Sequence, residues 1–182
     1  MARGSRQSSE VGLYHVIVRG NNKSRLFHHP KDFEEFIKII SSFLDRYKIK
    51  VHHYCIMSNH VHLVASSADA DFSGLLRDFK KFTSTEIIKA IIANPQESRK
   101  EWLLHIFQEA GKENLRNKSY QFWRQYNQPK ECYSYIFTQQ KIEYIHDNPV
   151  TAGIVDNAED YIDSSARDYV GRKDLLKVEL LL

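Results

Sequence analysis

Two histidines separated by one residue, His60 and His62, are the side chains most suited to chemistry in this 182-residue chain. They lie in an apolar, β-branched run, and side chains alternate between the two faces of a strand, so both imidazoles project from one face. Such a pair can supply half the ligands of a metal site. The chain has nine histidines, and on composition alone two partly buried or surface histidines remain the commoner explanation.

A second pair of polar side chains occurs downstream, at Tyr144 and Asn148. Residues four apart on a helix lie on one face, one turn apart, so a phenol and a carboxamide can act together there. Pro149 disfavours helical geometry at the residue before it, and we therefore expect Asn148 at or just past the last turn. Tyr144 can also be a core aromatic, because it lies in an apolar stretch and is one of ten tyrosines.

Three stretches of the sequence resemble the single-tyrosine transposases of the HUH endonuclease superfamily, most closely the branch of REP-associated tyrosine transposases. They are residues 14–22 (YHVIVRGNN), 57–64 (MSNHVHLV) and 144–154 (YIHDNPVTAGI). The resemblance implies that His60, His62 and Asn148 bind a divalent metal, Mg²⁺ or Mn²⁺. It also implies that Tyr144 is the catalytic nucleophile, which attacks single-stranded or hairpin DNA to form a covalent 5′-phosphotyrosine.

Two other classes of function remain open. One is a nucleic-acid-binding module on a ferredoxin-like platform without chemistry, although no strand carries the aromatic-rich signature of RNA-recognition domains. The other is a nickase of the relaxase or replication-initiator type, against which the match over residues 144–154 favours the transposase branch. The resemblance is compatible with a monomer or with a homodimer that exchanges helices.

The formal net charge is only +3, so the distribution of the basic side chains is more informative than their excess over acidic ones. They form clusters along the sequence. A charge cluster is more often a solvated face than a binding patch, but chemistry on phosphodiesters favours phosphate contact. An aromatic ring beside a cation can stack unpaired bases and hold their backbone, although large aromatics are usually buried. The predicted DNA-binding residues are Arg19, Lys23, Arg25, Arg77, Lys80, Lys81, Trp123 and Arg124.

Hydrophobic periodicity predicts an α+β fold. We expect strands over residues 13–19, 49–57, 60–66 and 102–108, and helices over residues 32–47, 72–93 and 137–146. Strand, helix, strand, strand, helix, strand is the split βαβ order of ferredoxin-like domains, with an antiparallel sheet and helices on one face. The other face is then free for ligands, and a C-terminal helical segment follows.

The length fits one domain. We expect a flexible N-terminus over residues 1–10, a catalytic domain that includes the tyrosine helix over residues 11–155, and a C-terminal extension over residues 156–182. No apolar run approaches the roughly 20 residues of a membrane span, and the N-terminus lacks the apolar core of a secretory signal. We therefore expect a cytoplasmic protein with no membrane partner. The spacing of Cys55 and Cys132 supports neither a zinc finger nor a disulfide framework.

Overall fold

The computed structural model describes residues 12–21, 25–68, 71–113, 119–125, 127–172 and 175–181. Its strands are β1 (Leu13–Arg19), β2 (Lys50–Met57), β3 (His60–Ser66) and β4 (Lys130–Glu131). Its α-helices are α1 (Pro30–Arg46), α2 (Phe72–Ala93), α3 (Lys100–Lys112) and α4 (Tyr135–Thr151). Two 3₁₀ turns, Ala158–Asp160 and Ser165–Val170, follow α4. The strands form one antiparallel sheet in the order β2-β3-β1-β4.

This arrangement is the predicted ferredoxin-like α+β fold. The bounds of β1, β3 and α2 agree with the sequence prediction, and those of α1 and β2 differ by one or two residues. The strand order places β1 and β3 at the centre, where they pair along their whole length from Leu13 opposite Ser66 to Arg19 opposite His60. The histidine pair is therefore on a central strand of the sheet.

The prediction of a fourth strand over residues 102–108 is wrong, because this segment lies in helix α3. Leu103 and Phe107 are fully buried, whereas Trp102 is 50% exposed. Burial at positions four apart is the pattern of a helix with one face on the core, not of a strand. The fourth strand is the short β4 at the sheet edge, and an isolated bridge between Gly20 and Trp123 continues the pairing beyond it.

The two faces of the sheet are covered differently. Residues such as Val16 and Val61 pack against α1 and α2 in the main core. On the opposite face, Cys55 and Val64 pack with Ile145 of α4. The expectation that this second face is free is therefore corrected: α4 covers it at β2 and β3, and the histidine pair lies under the tyrosine helix.

The chain after α4 packs back along β2. Tyr161 Oη donates to Ile56 O at 2.8 Å, and Glu179 N donates to Val51 O at 2.8 Å. Leu176 is part of the main core. This segment covers an edge strand that would otherwise present unpaired backbone groups. Within the described ranges, no helix has the length and apolarity needed to cross a membrane.

Candidate active site

His60 and His62 follow directly on the turn at residues 58–59, which joins β2 to β3. The turn is fixed from outside by the loop after β1. Leu26 N and Phe27 N both donate to Ser58 O, at 2.7 and 3.0 Å. A turn that has protein partners for its backbone is ordered, so the start of the histidine strand has a defined position.

The two imidazoles project from one face, as the alternation of a strand predicts, with ring centroids 4.9 Å apart. His60 is half-buried, and His62 has no exposed surface. His60 Nδ1–H donates to Asn59 Oδ1 at 2.6 Å, which leaves the Nε2 lone pair of His60 as its ligand atom. Burial lowers the pKa of His60 and lowers that of His62 to about 2. Both rings are therefore neutral at pH 7 and able to bind a cation.

Tyr144 lies on α4 with its ring edge-on to His62, at a centroid distance of 5.5 Å and an interplanar angle of 77°. Its side chain is 48% exposed, so it is not a core aromatic. Ser134 is the N-cap of helix α4, and its hydroxyl accepts a hydrogen bond from Phe137 N. The neighbouring Ile145 is fully buried and fixes the helix on the sheet. The phenol is thus accessible while its backbone is anchored.

Asn148 lies at the last turn of α4, one turn after Tyr144, which is within the range that Pro149 led us to expect. Pro149 cannot donate to the Ile145 carbonyl one turn earlier, and the helix ends two residues later at Thr151. The helix closes at Gly153, which has φ +67°, and Ile154 N donates back to Pro149 O at 2.9 Å. This is a Schellman closure, and it keeps Asn148 on the same helical face as the tyrosine.

The side chain of Asn148 connects the helix to the histidine pair. Its Nδ2 donates to Tyr144 O at 2.7 Å. Burial lowers the pKa of His60, and a side-chain hydrogen bond to Asn148 partly opposes that shift. The Asn148 carboxamide is thus hydrogen-bonded both to its own helix and to His60. Its oxygen is the atom of this side chain that could bind a cation.

The free atoms of this cluster fit a divalent cation. His62 Nε2 is buried and has no hydrogen-bond partner, although buried nitrogens are normally paired. Together with His60 and Asn148 it forms a set of two nitrogens and one oxygen, which suits Mn²⁺ and is acceptable to Mg²⁺. In the part of the chain that the structure describes, no group of three or more His, Cys, Asp or Glu could hold a metal, so the site depends on the amide.

His15 of β1 is a neighbour of this cluster that the sequence analysis missed. It is 3% exposed, and its ring lies parallel to that of His62 at a centroid distance of 5.7 Å. His15 Nε2 is 3.4 Å from His62 Nδ1. Burial, followed by the charges of Lys141 and Lys130, lowers the pKa of His15 to about 4. The register that places Ile17 opposite His62 brings these rings together, and register cannot be read from one strand's sequence.

Three of the predicted DNA-binding arginines lie on the same side of the molecule as the candidate site. Arg19 is exposed and lies opposite His60 in the β1–β3 ladder. Arg124 N donates to Arg19 O at 2.8 Å, and both side chains line an open groove along β1. Arg25 is exposed in the loop that holds the turn before His60. The predicted Lys23 lies outside the described residues.

Trp123 and Lys80 have structural partners instead. Trp123 is 3% exposed, and its Nε1 donates to Thr83 Oγ1 at 2.8 Å. The prediction that this ring stacks on DNA bases is therefore corrected: the tryptophan is a core residue. Lys80 Nζ donates to the carbonyl of Arg124, so its charge ties α2 to the segment beside β1.

Arg77 and Lys81 are exposed on α2. Arg77 pairs with Asp78 at 3.1 Å. Because α2 covers the sheet face opposite the histidines, both cations lie on the far side of the sheet from the candidate site. The structure does not bring them together with Tyr144.

A row of aromatic rings leads from the residues before α4 along this helix to the tyrosine, and Phe137 in this row is partly buried. Tyr133 is 77% exposed and stacks on Phe137, with ring centroids 5.0 Å apart. Lys141 Nζ lies 4.9 Å from the centroid of Phe137 and 6.0 Å from that of Tyr144. We call Tyr133, Phe137 and Lys141 the aromatic stripe. These residues are four apart and Tyr144 follows three later, a helical spacing that is visible in the sequence but is not among the sequence-based predictions.

Comparisons with known protein families and with curated proteins give one match and no match, respectively. The sequence profile of the family described as IS200-like transposases matches residues 8–126. This range includes the histidine pair and ends before the tyrosine helix. A comparison with curated proteins found no match.

Two solved structures share the fold. A REP-associated tyrosine transposase bound to a REP hairpin has 16% sequence identity and a TM-score of 0.63, over 98% of this chain and 92% of that one. A putative transposase from Deinococcus radiodurans R1 has 14% identity and a TM-score of 0.51, over 80% of this chain and 97% of that one. The likeness to the first structure extends through α4 and the C-terminal segment.

Proposed function

Because the chain belongs to the IS200-like transposase family, we propose that it cuts single-stranded or hairpin DNA and transfers the cut strand through a covalent bond to Tyr144. The observation that carries this proposal is the placement of an exposed phenol edge-on to His62, 5.5 Å between ring centroids. That imidazole has a buried, unpartnered Nε2. Family membership supports the transposase class over a relaxase, and the accessible tyrosine supports an enzyme over a binding module.

In the proposed reaction, Tyr144 Oη attacks the phosphorus of a DNA phosphodiester and gives up the phenolic proton. A bond forms from Oη to phosphorus, and the bond from phosphorus to the 3′ oxygen breaks. The 3′ oxygen takes a proton and leaves as a hydroxyl, while the 5′ phosphate stays on the protein. A second 3′-hydroxyl can reverse this step and join a new strand, because the phosphotyrosine conserves the bond.

The residues around the tyrosine have separate tasks. His60, His62 and Asn148 would hold Mg²⁺ or Mn²⁺, which when bound neutralises charge on a non-bridging phosphate oxygen and makes phosphorus more electrophilic. Arg19 contributes a positive charge at the same end of β3. The buried anchor of α4 orients the phenol. All these side chains come from one chain, which supports a site that a single subunit would hold without exchange of helices.

Two surfaces next to the site would hold the DNA. The groove lined by Arg19 and Arg124 suits the backbone, because guanidinium groups bind phosphate with two parallel hydrogen bonds. The aromatic stripe suits unpaired bases, since exposed rings beside a cation stack on bases without regard to sequence. The strand that runs along α4 would then pass Tyr144.

A covalent-adduct assay tests the proposal. The full chain is incubated with Mn²⁺ and a labelled pool of DNA hairpins with randomised single-stranded flanks, and protein-bound label is measured after denaturing electrophoresis. The wild type should give an adduct, and Tyr144→Phe should give none, because only the attacking oxygen is removed. Tyr135→Phe is the matched control, since Tyr135 is 75% exposed on the same helix but off the stripe, and it should form adduct at the wild-type level.

Adduct formation by Tyr144→Phe would refute the tyrosine as nucleophile. Tight binding of the hairpin pool by the wild type, without adduct in Mg²⁺ or Mn²⁺, would instead favour the non-catalytic binding module.

A further inference from the structure

His15 contacts the one imidazole of the candidate site whose outer atom is unpaired. Its ring is parallel to that of His62 within 5°, and its Nε2 lies 3.4 Å from His62 Nδ1. Both rings are buried, at 3% and 0% exposure. The remaining nitrogens, His15 Nδ1 and His62 Nε2, have no hydrogen-bond partner. The pair therefore shares a single hydrogen bond, which can run in either direction.

The direction of that hydrogen bond decides what His62 can do. A neutral imidazole carries one proton, so one nitrogen donates and the other accepts. If His15 donates, the proton of His62 sits on Nε2, and that atom cannot bind a cation. If His62 Nδ1–H donates to His15 Nε2, the lone pair of His62 Nε2 is free to bind a cation.

We propose that His15 is a positioning residue that accepts the Nδ1–H of His62 and so holds His62 in the tautomer that binds the metal through Nε2. This rests on the proposed function, in which His62 is a ligand. A metal-bound histidine commonly donates its second N–H to a fixed acceptor, which sets the tautomer and the orientation of the ring. His15 lies at the position of such an acceptor, and it is buried.

The other histidine of the pair follows the same scheme with a different acceptor. His60 Nδ1–H donates to Asn59 Oδ1 at 2.6 Å, so in the neutral ring Nε2 carries the lone pair. In both rings the proposed tautomer has the proton on Nδ1, bonded to the protein, and the lone pair on Nε2. Asn59 is next to His60 in sequence, whereas His15 reaches His62 from another strand, so the second acceptor depends on the register of β1 with β3.

Two substitutions of His15 distinguish the loss of its hydrogen-bond acceptor from the loss of its packing against His62. His15→Phe keeps a flat ring parallel to His62 but has no acceptor, and His15→Gln keeps an acceptor at the distance of Nε2. We expect His15→Phe to weaken Mn²⁺ binding by about 10–100-fold, the usual effect of losing such a partner, and His15→Gln to restore it to within a few-fold. Mn²⁺ affinity is measured on the full chain without DNA, by calorimetry or from the electron paramagnetic resonance of free Mn²⁺.

Wild-type Mn²⁺ affinity in His15→Phe, with folding verified by circular dichroism, would overturn the role of His15 and leave the metal site intact. His60→Ala distinguishes this from failure of the proposed function: it should lose Mn²⁺ binding whatever His15 does. Absence of Mn²⁺ binding in the wild type would overturn both proposals.

The tautomer can also be observed without any change to His15. In protein labelled with ¹⁵N-histidine, long-range proton–nitrogen spectra distinguish a protonated Nδ1 from a protonated Nε2, and the signals of His62 are those missing from His62→Ala. The metal-free wild type should show the proton of His62 on Nδ1. A proton on Nε2 would overturn the proposal even if His15→Phe does not fold.

Discussion

Two histidine clusters lie on the same face of the sheet, both under α4, and they differ in how their nitrogens are used. In the first, His60 and His62 face Tyr144, and one buried nitrogen has no partner. In the second, His53 of β2 and His146 of α4 lie with ring centroids 5.2 Å apart. The second cluster is one strand away from the first, on β2, where the segment after α4 packs back on the sheet.

In the second cluster the protein supplies the partners. His53 Nε2 is 2.8 Å from Tyr169 Oη, and His53 Nδ1 is 3.4 Å from His146 Nε2. His146 Nε2 is also 3.0 Å from Ser165 Oγ. Paired buried polar groups stabilise a structure, whereas unpaired ones cost stability. The second cluster therefore anchors α4, and the first leaves an atom free at the expense of stability, as ligand sites do.

The largest expected effect is on cleavage. His60→Ala removes a proposed metal ligand, so the rate of adduct formation should fall by about 100-fold or more, because metal charge stabilisation is worth several kcal/mol. His53→Ala should change the rate per folded molecule by no more than a few-fold. Single-turnover adduct formation at saturating Mn²⁺ measures both, and equal losses in the two variants would remove the functional distinction between the clusters.

Stability should respond in the opposite way. His53→Ala leaves a cavity and removes the contacts of this ring with Tyr169 and His146, and should lower the free energy of unfolding by about 2–4 kcal/mol. His60→Ala affects a half-buried ring whose recorded hydrogen bonds go to Asn59 and Asn148, and should cost about 1 kcal/mol or less in metal-free protein. Urea unfolding compares them, and a greater loss in His60→Ala would contradict the anchoring role of the second cluster.

The second cluster also predicts a loss of stability in acid. Burial lowers the pKa of His53 to about 3 and that of His146 to about 4, from 6.5. The unfolded chain therefore binds more protons below pH 6.5, so stability falls as pH drops from 6.5 toward 4. Asp163 acts in the opposite sense between pH 3.8 and 6, because burial raises its pKa to about 6, but one carboxyl is outweighed by two histidines.

For these three groups the expected net loss between pH 6.5 and 4.5 is on the order of 2 kcal/mol, and the buried His15 and His62, whose pKa values are also lowered, add to the loss in the whole protein. Urea unfolding across this range measures it. His146→Gln retains a donor for Ser165 but cannot titrate, so its stability should depend less on pH than that of the wild type. An unchanged slope would show that the acid loss arises elsewhere.

The smallest effect is the response of stability to metal. Mn²⁺ at ten times its dissociation constant should stabilise the wild type by about 1.4 kcal/mol, the value for a ligand that binds only the folded state. His146→Gln should gain the same amount, and His60→Ala should gain nothing. Thermal unfolding with and without Mn²⁺ checks this, and a gain that persists in His60→Ala would assign the ion to another site.

The sequence predicts those elements whose pattern is strong and local. Helix α2 repeats buried residues such as Leu76, Phe79 and Ile87 over six turns. Strand β3 is a short run rich in apolar residues directly after a two-residue turn, so the bounds of both elements are predicted correctly. Residues 102–108 form a short apolar run in which strand and helix cannot be told apart by period, and here the helix forms because it buries Leu103 and Phe107 together.

The candidate site likewise contains relations that are local in sequence and contacts that depend on the tertiary structure. The spacing of His60 and His62, and of Tyr144 and Asn148, is local and could be read directly. The contact between His15 and His62 depends on strand register, and the anchoring of His146 depends on a C-terminal segment that folds back on β2. Trp123 could be a base-stacking ring or a core ring by sequence, and only its bond to Thr83 distinguishes the two.

Tyr144 and Asn148 occupy consecutive turns of one helix, and a hydrogen bond from the amide to the tyrosine carbonyl ties them together. The group that would carry the DNA and a group that would hold the ion are thus one rigid part, while the imidazoles belong to another. Any displacement of α4 with a strand attached would also withdraw an oxygen ligand from the cation. Movement of the covalently attached DNA end and loss of the metal-binding site would then occur in one step.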